Sequence, residues 1–486
     1  MTNTFPLTLA QRERFQRARL SQDARFDGKF FIGVVTTGIF CRPICRVKPP
    51  KEENVRYYPS AIIAQQQGFR PCKRCLPELA PETPRPLSQK QLLNALLKHQ
   101  GKVAAAANYC QLSERQFRRK FTEFYRLSPN IYWQQYRLLN ALKLLRNSNM
   151  SMTQICFASG FSSIRRFNEA IRELYGETPK QISTRELAPP SKTIEIKLPY
   201  QGKYDWSLML SFFSARQISD IETVSQVSYA RVFTIDGAQG MFEVHHSPIE
   251  QALVLKVECT DHTVLPELIT RVRRMFDLDV NLEQVHQAIG THPRIKKVIE
   301  QTPGLRLPGC FDLFEFTIRA ILGQQVSVKA ATTLAQRICL KYGKTCQENS
   351  LGLSYHFPDN QTLLNADFLD IGLTQSRIDT LRLWCQYFHD NSHVFNYYQD
   401  IDELQQTLVQ LKGIGPWTVN YIGMRGLSDP DAFPSADLGI IKALSEKNCA
   451  PKERLKNREI IDLAKQWQPW RAYAAIYLWQ SLTLND

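Results

Sequence analysis

With 486 residues, 43% apolar and 22% charged, the chain has the composition of a globular protein of three or four domains, which excludes a disordered or collagen-like polymer. It holds no run of eighteen apolar residues and no apolar leader, so neither a membrane span nor a secretory signal is expected; twelve scattered cysteines fit a reducing cytoplasm better than a disulfide scaffold. The net charge of +15 is uneven: residues 1–185 hold 31 basic and 12 acidic side chains, whereas the remaining 301 hold 30 and 34. The front third therefore predicts a polyanion binder, because lysines and arginines that neutralise phosphates release counterions.

The first feature in chain order is a pair of cysteine pairs. Cys41 and Cys45 enclose three residues, Cys72 and Cys75 enclose two, and 26 lie between the pairs. Short loops of this kind turn both sulfurs of a pair onto one metal, so the spacing predicts one tetrahedral zinc ion, structural by default. The surrounding words are more specific. Thr36-Thr37-Gly38-Ile39-Phe40-Cys41-Arg42-Pro43-Ile44-Cys45 and Gly68-Phe69-Arg70-Pro71-Cys72-Lys73-Arg74-Cys75 closely resemble the N-terminal domain of the bacterial Ada proteins over Arg25–Pro77. The resemblance implies that Cys41 accepts a methyl group from a methylphosphotriester of the DNA backbone, an irreversible transfer because a thioether is a poor leaving group. A metal-held thiolate stays deprotonated and nucleophilic, which suits that role. Methylation would take the charge of a zinc tetrathiolate from −2 to −1 and relieve about 1–3 kcal/mol of repulsion toward a nearby phosphate, so it should tighten DNA binding. Arg42, Arg46, Arg70, Lys73 and Arg74 stand beside the cysteines as candidate phosphate contacts.

Pro77, Pro81, Pro84 and Pro86 mark Leu76–Leu87 as a stiff linker, and Ala188-Pro189-Pro190 marks a second break. Helical periodicity runs between them. Ser113-Glu114-Arg115-Gln116 has the form of a capping box opening a helix, with Phe117, Phe121 and Phe124 as its apolar stripe and Arg115, Arg118 and Arg119 outside. The Ala-rich stretch before it completes a helix-turn-helix candidate. A second unit pairs Thr153–Ser159 with Ser162–Leu174, turning through Gly160-Phe161, with Ile164, Phe167 and Ile171 inward and Arg165, Arg166 and Asn168 outward; a long helix near Tyr132–Arg146 joins the units, whose recognition helices start 49 residues apart. Together with the closing Thr178-Pro179, this arrangement resembles the AraC-type DNA-binding domain over Leu87–Leu187, which implies a double-stranded promoter read in successive major grooves.

Beyond the second break, Ile194–Leu198, Ala230–Ile235 and Ala252–Cys259 predict strands, and Phe311–Tyr342 and most of the chain beyond it predict helix. Leu411-Lys412-Gly413-Ile414-Gly415-Pro416-Trp417 is a helix-hairpin-helix word whose glycines let backbone amides approach a phosphate. Asp437 comes 22 residues after Gly415. Read alone, an aspartate after Pro434-Ser435 is a helix N-cap; hairpin and then aspartate, however, resembles the helix-hairpin-helix base-excision glycosylases. Tyr204-Asp205-Trp206-Ser207, Phe276-Asp277-Leu278, Gly304–Asp312, Arg319–Gln324 and Trp470-Arg471-Ala472-Tyr473 extend the resemblance to the AlkA family, the 3-methyladenine DNA glycosylases II, over Ile194–Leu482. It implies Asp437 as catalytic carboxylate and Trp417, Tyr421 and Trp479 as aromatic walls for a flipped, cationic base. No cofactor is implied for that chemistry. Trp417 stands where bifunctional relatives place a nucleophilic lysine, so no lyase step is expected, and Cys449 is the lone cysteine after the hairpin, so no iron–sulfur cluster is expected. Gln324 and Gln325 lie on the DNA side in this resemblance, with Gln325 where relatives carry an apolar wedge. A Pro-Cys-His-Arg sequence is absent, so repair of methylated guanine oxygen is not expected.

The expected architecture is a multidomain, mainly α chain with α+β parts. Residues 1–77 form a small zinc-bound lobe, 87–187 a helical double helix-turn-helix domain, 193–290 a β-rich subdomain, and 291–486 an all-α helix-hairpin-helix domain. The expected partners are damaged and promoter DNA and, for an activator, RNA polymerase, in a cytoplasmic, nucleoid-associated setting without membrane. The alternative is a DNA-binding regulator with a structural zinc site and a catalytically silent rear half.

Overall fold

The computed structural model describes residues 7, 9–23, 26–80, 87–183, 193–346, 349–391, 407–445 and 455–484. Residues 81–86 of the expected Leu76–Leu87 linker, the Ala188-Pro189-Pro190 break and Cys449 lie outside the described residues. Contacts divide the chain into two units, one of residues 1–199 with 261–266 and one of 200–260 with 267–486.

In the first unit, a four-stranded sheet places the strands in the order Val55–Tyr58, Phe31–Val34, Ile39–Cys41, Arg70–Pro71. The first three are antiparallel, whereas Ile39–Cys41 pairs in parallel with Arg70–Pro71, Ile39 opposite Arg70 and Phe40 opposite Pro71. Helix Leu9–Leu20 lays Phe15 against Phe30, ring centroids 4.2 Å apart, so aromatic packing closes this small core.

The residues after the cysteines do not behave only as a spacer. Pro77–Leu79 forms a 3₁₀ turn, and the buried Glu78 pairs with Arg146 of the long helix Pro129–Asn147. Gln65 Nε2 donates to the Tyr175 hydroxyl at 3.1 Å, so the lobe and the helical domain share one contact unit.

That helical domain is a duplication. Val103–Tyr109 with Glu114–Tyr125, and Met152–Ala158 with Ile164–Tyr175, are the two helix pairs. Ser113 and Gln116 form the expected capping box, and Ser163 caps the second recognition helix, which puts the two caps 50 residues apart rather than 49. Phe117, Phe121 and Tyr125 are buried on one helix and Phe167, Ile171 and Tyr175 on the other. Ile164, expected inward, is 42% exposed, because it occupies the first turn ahead of that stripe.

In the second unit, Glu222–Val224, Ser228–Ile235, Ala238–Ser247 and Ala252–Cys259 form an antiparallel meander. The strand Ala238–Ser247 was not expected. Its signal is Asp236-Gly237, both with positive φ (49° and 85°), the pair that a tight hairpin turn requires. The expected helix Phe311–Tyr342 is two helices, Leu313–Leu322 and Val328–Tyr342, broken at Gly323–Ser327 where Ser327 caps the second. The helices of this unit enclose two apolar cores, one around Trp384, Ile318 and Leu381, the other around Trp467, Tyr477 and Ile460. Tyr421 packs at the margin of both. Among the described residues no helix is long and apolar enough to cross a membrane.

Candidate functional site

In the front lobe, strand pairing gathers the sulfurs. The Cys72 amide donates to the Phe40 carbonyl at 3.0 Å, which sets Cys72 beside Cys41, and the Cys45 amide closes a turn on the Arg42 carbonyl at 3.1 Å. All four Sγ atoms of Cys41, Cys45, Cys72 and Cys75 lie within 4.8 Å of one another, with Cys45 and Cys72 at 4.0 Å. Four sulfurs each about 2.3 Å from one centre would be a little under 4 Å apart, so the donor set fits zinc. Crowding already redistributes the protons. Hydrogen bonds from Cys41 hold Cys45 down to about 7 and Cys72 lower still, while Cys41 is pushed up by its bonds to Cys45 and Cys72 and by burial. Cys41, Cys45 and Cys72 are buried and Cys75 is half-buried.

The neighbouring basic residues separate into two kinds. Arg46, Arg70, Lys73 and Arg74 are exposed, Lys73 in an ion pair with Glu177. Arg42 corrects the expectation of a phosphate contact: it is 6% exposed, and its guanidinium is committed to Asp27 (Nε to Oδ1, 2.8 Å) and to the Cys75 carbonyl (3.1 Å). Its backbone amide points at Cys75 Sγ, 3.3 Å away. Arg42 thus braces the cysteine loop from behind. On the two recognition helices, Arg115, Arg118, Arg119, Arg165 and Arg166 are all exposed; Arg118 touches Glu114 and Arg165 touches Glu169 within their own helices.

In the second unit, Gly413 has φ +92°, and a Cβ there would fall 2.0 Å from Thr380 Oγ1, so only glycine closes this turn. Gln324 Nε2 donates to the Gly413 carbonyl (2.8 Å) and to Thr418 Oγ1 (3.0 Å), while Arg377 holds the Gln324 carbonyl at 2.7 Å. Gln325 is exposed in the left-handed region at φ 56°. Gly415 precedes helix Pro416–Tyr421, and a Cβ on it would meet nothing within 4 Å, so its backbone faces open space.

Asp437 is both things its sequence suggested. As N-cap of helix Leu438–Leu444, its Oδ1 accepts from the Gly439 and Ile440 amides at 2.8 and 3.1 Å. The indole N–H of Trp479 also donates to Oδ1 at 2.7 Å, and that of Trp417 donates to Oδ2 at 3.0 Å. Four donors from three segments therefore hold one half-buried carboxylate in a fixed orientation. Trp417 stacks on Tyr421 with centroids 5.0 Å apart and planes 10° from parallel, and Phe316 lies against the same tyrosine at 5.5 Å. The structure thus brings Asp437, Trp417, Tyr421 and Trp479 together, and gives both tryptophans a role as carboxylate donors that residue type alone did not reveal.

Other neighbours were missed. Gly439 is required because a Cβ would come within 2.7 Å of the Trp479 ring and 2.9 Å of Asp437 Oδ1. Phe212 and Arg425 also approach the aromatic group: the Arg425 guanidinium carbon lies 4.2 Å from the Phe212 ring centroid, 5.5 Å from that of Tyr421 and 5.6 Å from that of Trp479. Arg425 lies four residues after Tyr421, the helical spacing that could have found it.

Comparison with known proteins finds relatives along the whole chain. A probable bifunctional transcriptional activator/DNA repair enzyme AlkA of Mycobacterium tuberculosis is 32% identical over 97% of this chain and 96% of its own length. The chain belongs to that family. Family models match in the same order: the metal-binding domain of Ada at residues 14–78, a helix-turn-helix domain at 106–185 and the AlkA N-terminal domain at 195–312. DNA-3-methyladenine glycosylase 2 of Escherichia coli is 32% identical over 58% of this chain and 95% of its own length. The 3-methyladenine DNA-glycosylase of Archaeoglobus fulgidus covers 59% of this chain and 97% of its own, with a TM-score of 0.51 and 20% identity, and shares the fold of the rear part.

Proposed function

We propose that this chain hydrolyses the N-glycosidic bond of alkylated purines such as 3-methyladenine in DNA, and that its front part accepts a methyl group from a backbone methylphosphotriester and acts as a DNA-binding transcriptional activator. One observation carries the glycosylase reading: Asp437 is held by both indoles and a helix N-terminus at the foot of the Gly413–Gly415 hairpin. An alkylated purine is cationic, so its glycosidic bond is weak and little acid catalysis is needed. The Asp437 carboxylate stabilises the oxocarbenium-like sugar and orients the attacking water. Tyr421, stacked on Trp417, offers an aromatic face to the flipped base, worth about 0.5–2 kcal/mol for a cation. Gly413, Gly415 and Gln324 place backbone amides and an anchored loop toward the DNA, with Gln325 at its tip.

In the front lobe, Cys41, Cys45, Cys72 and Cys75 would hold one zinc ion, which supplies the positive charge that keeps the sulfurs deprotonated. A bond forms from Cys41 Sγ to the methyl carbon, the carbon–oxygen bond breaks, and the phosphodiester leaves as an anion. Arg46, Arg70, Lys73 and Arg74 remain as exposed phosphate contacts, and Arg115, Arg118, Arg119, Arg165 and Arg166 face promoter DNA. RNA polymerase is the partner through which such an activator would work.

Replacing Asp437 by Asn tests the enzyme. Release of 3-methyladenine from alkylated DNA should fall by roughly three orders of magnitude, and an unchanged rate would leave only a DNA-binding protein. Peptide mapping after exposure to methylphosphotriester DNA should find one added methyl on Cys41; a methyl on the more exposed Cys75, or none, would reject that assignment.

A further inference from the structure

The surroundings of Arg425 are unusual for an arginine. It is 4% exposed, and among the described residues no carboxylate is paired with it. Nη1 donates to the Pro308 carbonyl at 2.8 Å, and Nε has no hydrogen-bond partner among the described residues. The guanidinium carbon lies 5.5 Å from the Tyr421 ring centroid, and the neighbouring charge is a second cation, Arg216, itself 3.8 Å from the Phe212 ring. Burial lowers its pKa to about 10, which still leaves it charged at neutral pH. An unpaired buried charge is costly, so a fold that keeps one beside a reaction centre points to a use for it. The backbone adds a second sign. Helix Pro416–Tyr421 runs on into a π-helical turn, Ile422–Gly426, and such turns concentrate at functional sites.

We propose that Arg425 speeds base release by setting a fixed positive charge beside the departing base, next to the Tyr421 and Trp479 rings. The proposal rests on the base-release reading. When the bond from the sugar C1′ to the base nitrogen breaks, its electron pair goes to the base. Water oxygen bonds to C1′ and the water proton passes to Asp437 or to solvent. The charge on the base falls by one unit, so a cationic methylpurine leaves neutral. A fixed cation there disfavours the bound cationic base and favours every state in which the pair has moved onto it. Asp437 does the reverse on the sugar, where positive charge grows. The two charges therefore act on opposite ends of the same bond, and Arg425 trades binding of a cationic base for speed.

The test uses the full-length protein and duplex DNA containing 7-methylguanine, with single-turnover release read at saturation and at half-saturation. Arg425→Met should lower the maximal rate roughly ten-fold, about half the effect of a unit charge some 7 Å away at a dielectric near 20. Its half-saturating concentration should stay level or fall, and Arg425→Lys should recover most of the rate. A wild-type rate in Arg425→Met overturns the proposal, and so do equal losses in both variants with a parallel drop in melting temperature, which would make Arg425 a structural tie to Pro308. If Arg425→Met does not fold, the pH profile of Arg425→Lys decides. Its rate should decline at a lower pH than that of the wild type, because a buried lysine gives up its proton before an arginine does, and a matching profile refutes the idea. Asp437→Asn is the control: if it releases base at the wild-type rate, the base-release reading has failed, whatever Arg425 does.

Discussion

The cysteine cluster and the Asp437 site gather their groups by opposite means. In the front lobe, backbone pairing of two short strands and two tight turns bring the sulfurs together, and a buried Arg42–Asp27 pair props the loop. Each half of that site is local in sequence, and the groups that converge are alike and mutually repulsive once ionised, so the metal must hold them. In the rear unit a single carboxylate is held by side chains and amides from Pro416–Tyr421, Leu438–Leu444 and Arg471–Ser481, three helices of two cores. There the packed scaffold does the holding. A thiolate cluster can be built cheaply from turns, whereas a carboxylate that must stay oriented needs donors fixed by a folded core.

The largest expected effect breaks the comparison on the metal side. Cys72→Ser leaves three sulfurs, and because metal-binding free energy in such lobes is on the order of 10 kcal/mol, the front lobe should lose its metal and its protease resistance. A chelator should do the same while base release continues; loss of base release on chelation would contradict a rear site held by packing alone. Next, Trp479→Phe removes one indole donor while the helix amides still hold Oδ1. Maximal base-release rate should fall about 10- to 100-fold with little change in melting temperature. A rate equal to wild type would mean that the amides alone orient the carboxylate.

Smaller effects sharpen the comparison. Gly439→Ala forces a methyl against the Trp479 ring and Asp437 Oδ1, so it should destabilise the rear unit by about 1–3 kcal/mol in chemical denaturation and slow base release together. The smallest concerns the two helix-turn-helix repeats. Their recognition helices end in equivalent left-handed residues, Arg126 at φ 57° and Gly176 at φ 69°. Arg126→Gly should therefore stabilise the domain by up to about 1 kcal/mol, and Gly176→Ala should destabilise it by a similar amount. A loss of stability in Arg126→Gly would show that the arginine side chain contributes more than its backbone strain costs.

Much of this was legible in the chain. Cysteine spacing, the Ser113 capping box, the Phe117–Phe121 stripe and the hairpin glycines are local signals, each set by the reach of a loop or the period of a helix. Ile164 and the break at Gly323–Ser327 were misread because apolar runs continue across a first turn or a cap without any change in composition. The Ala238–Ser247 strand was missed although Asp236-Gly237 announced its turn.

By itself, the amino-acid order determined which groups this protein has for chemistry: four sulfurs at metal-binding intervals, a hairpin with an aspartate beyond it, and a basic front. Tertiary structure alone decided how they are used. It put Arg42 behind the cysteines rather than on the surface, turned two tryptophans into donors for Asp437, and buried Arg425 beside the aromatic rings. Contacts of that kind join residues from 4 to 213 positions apart, and no single periodicity records them, because direction of a side chain is fixed by packing and not by type.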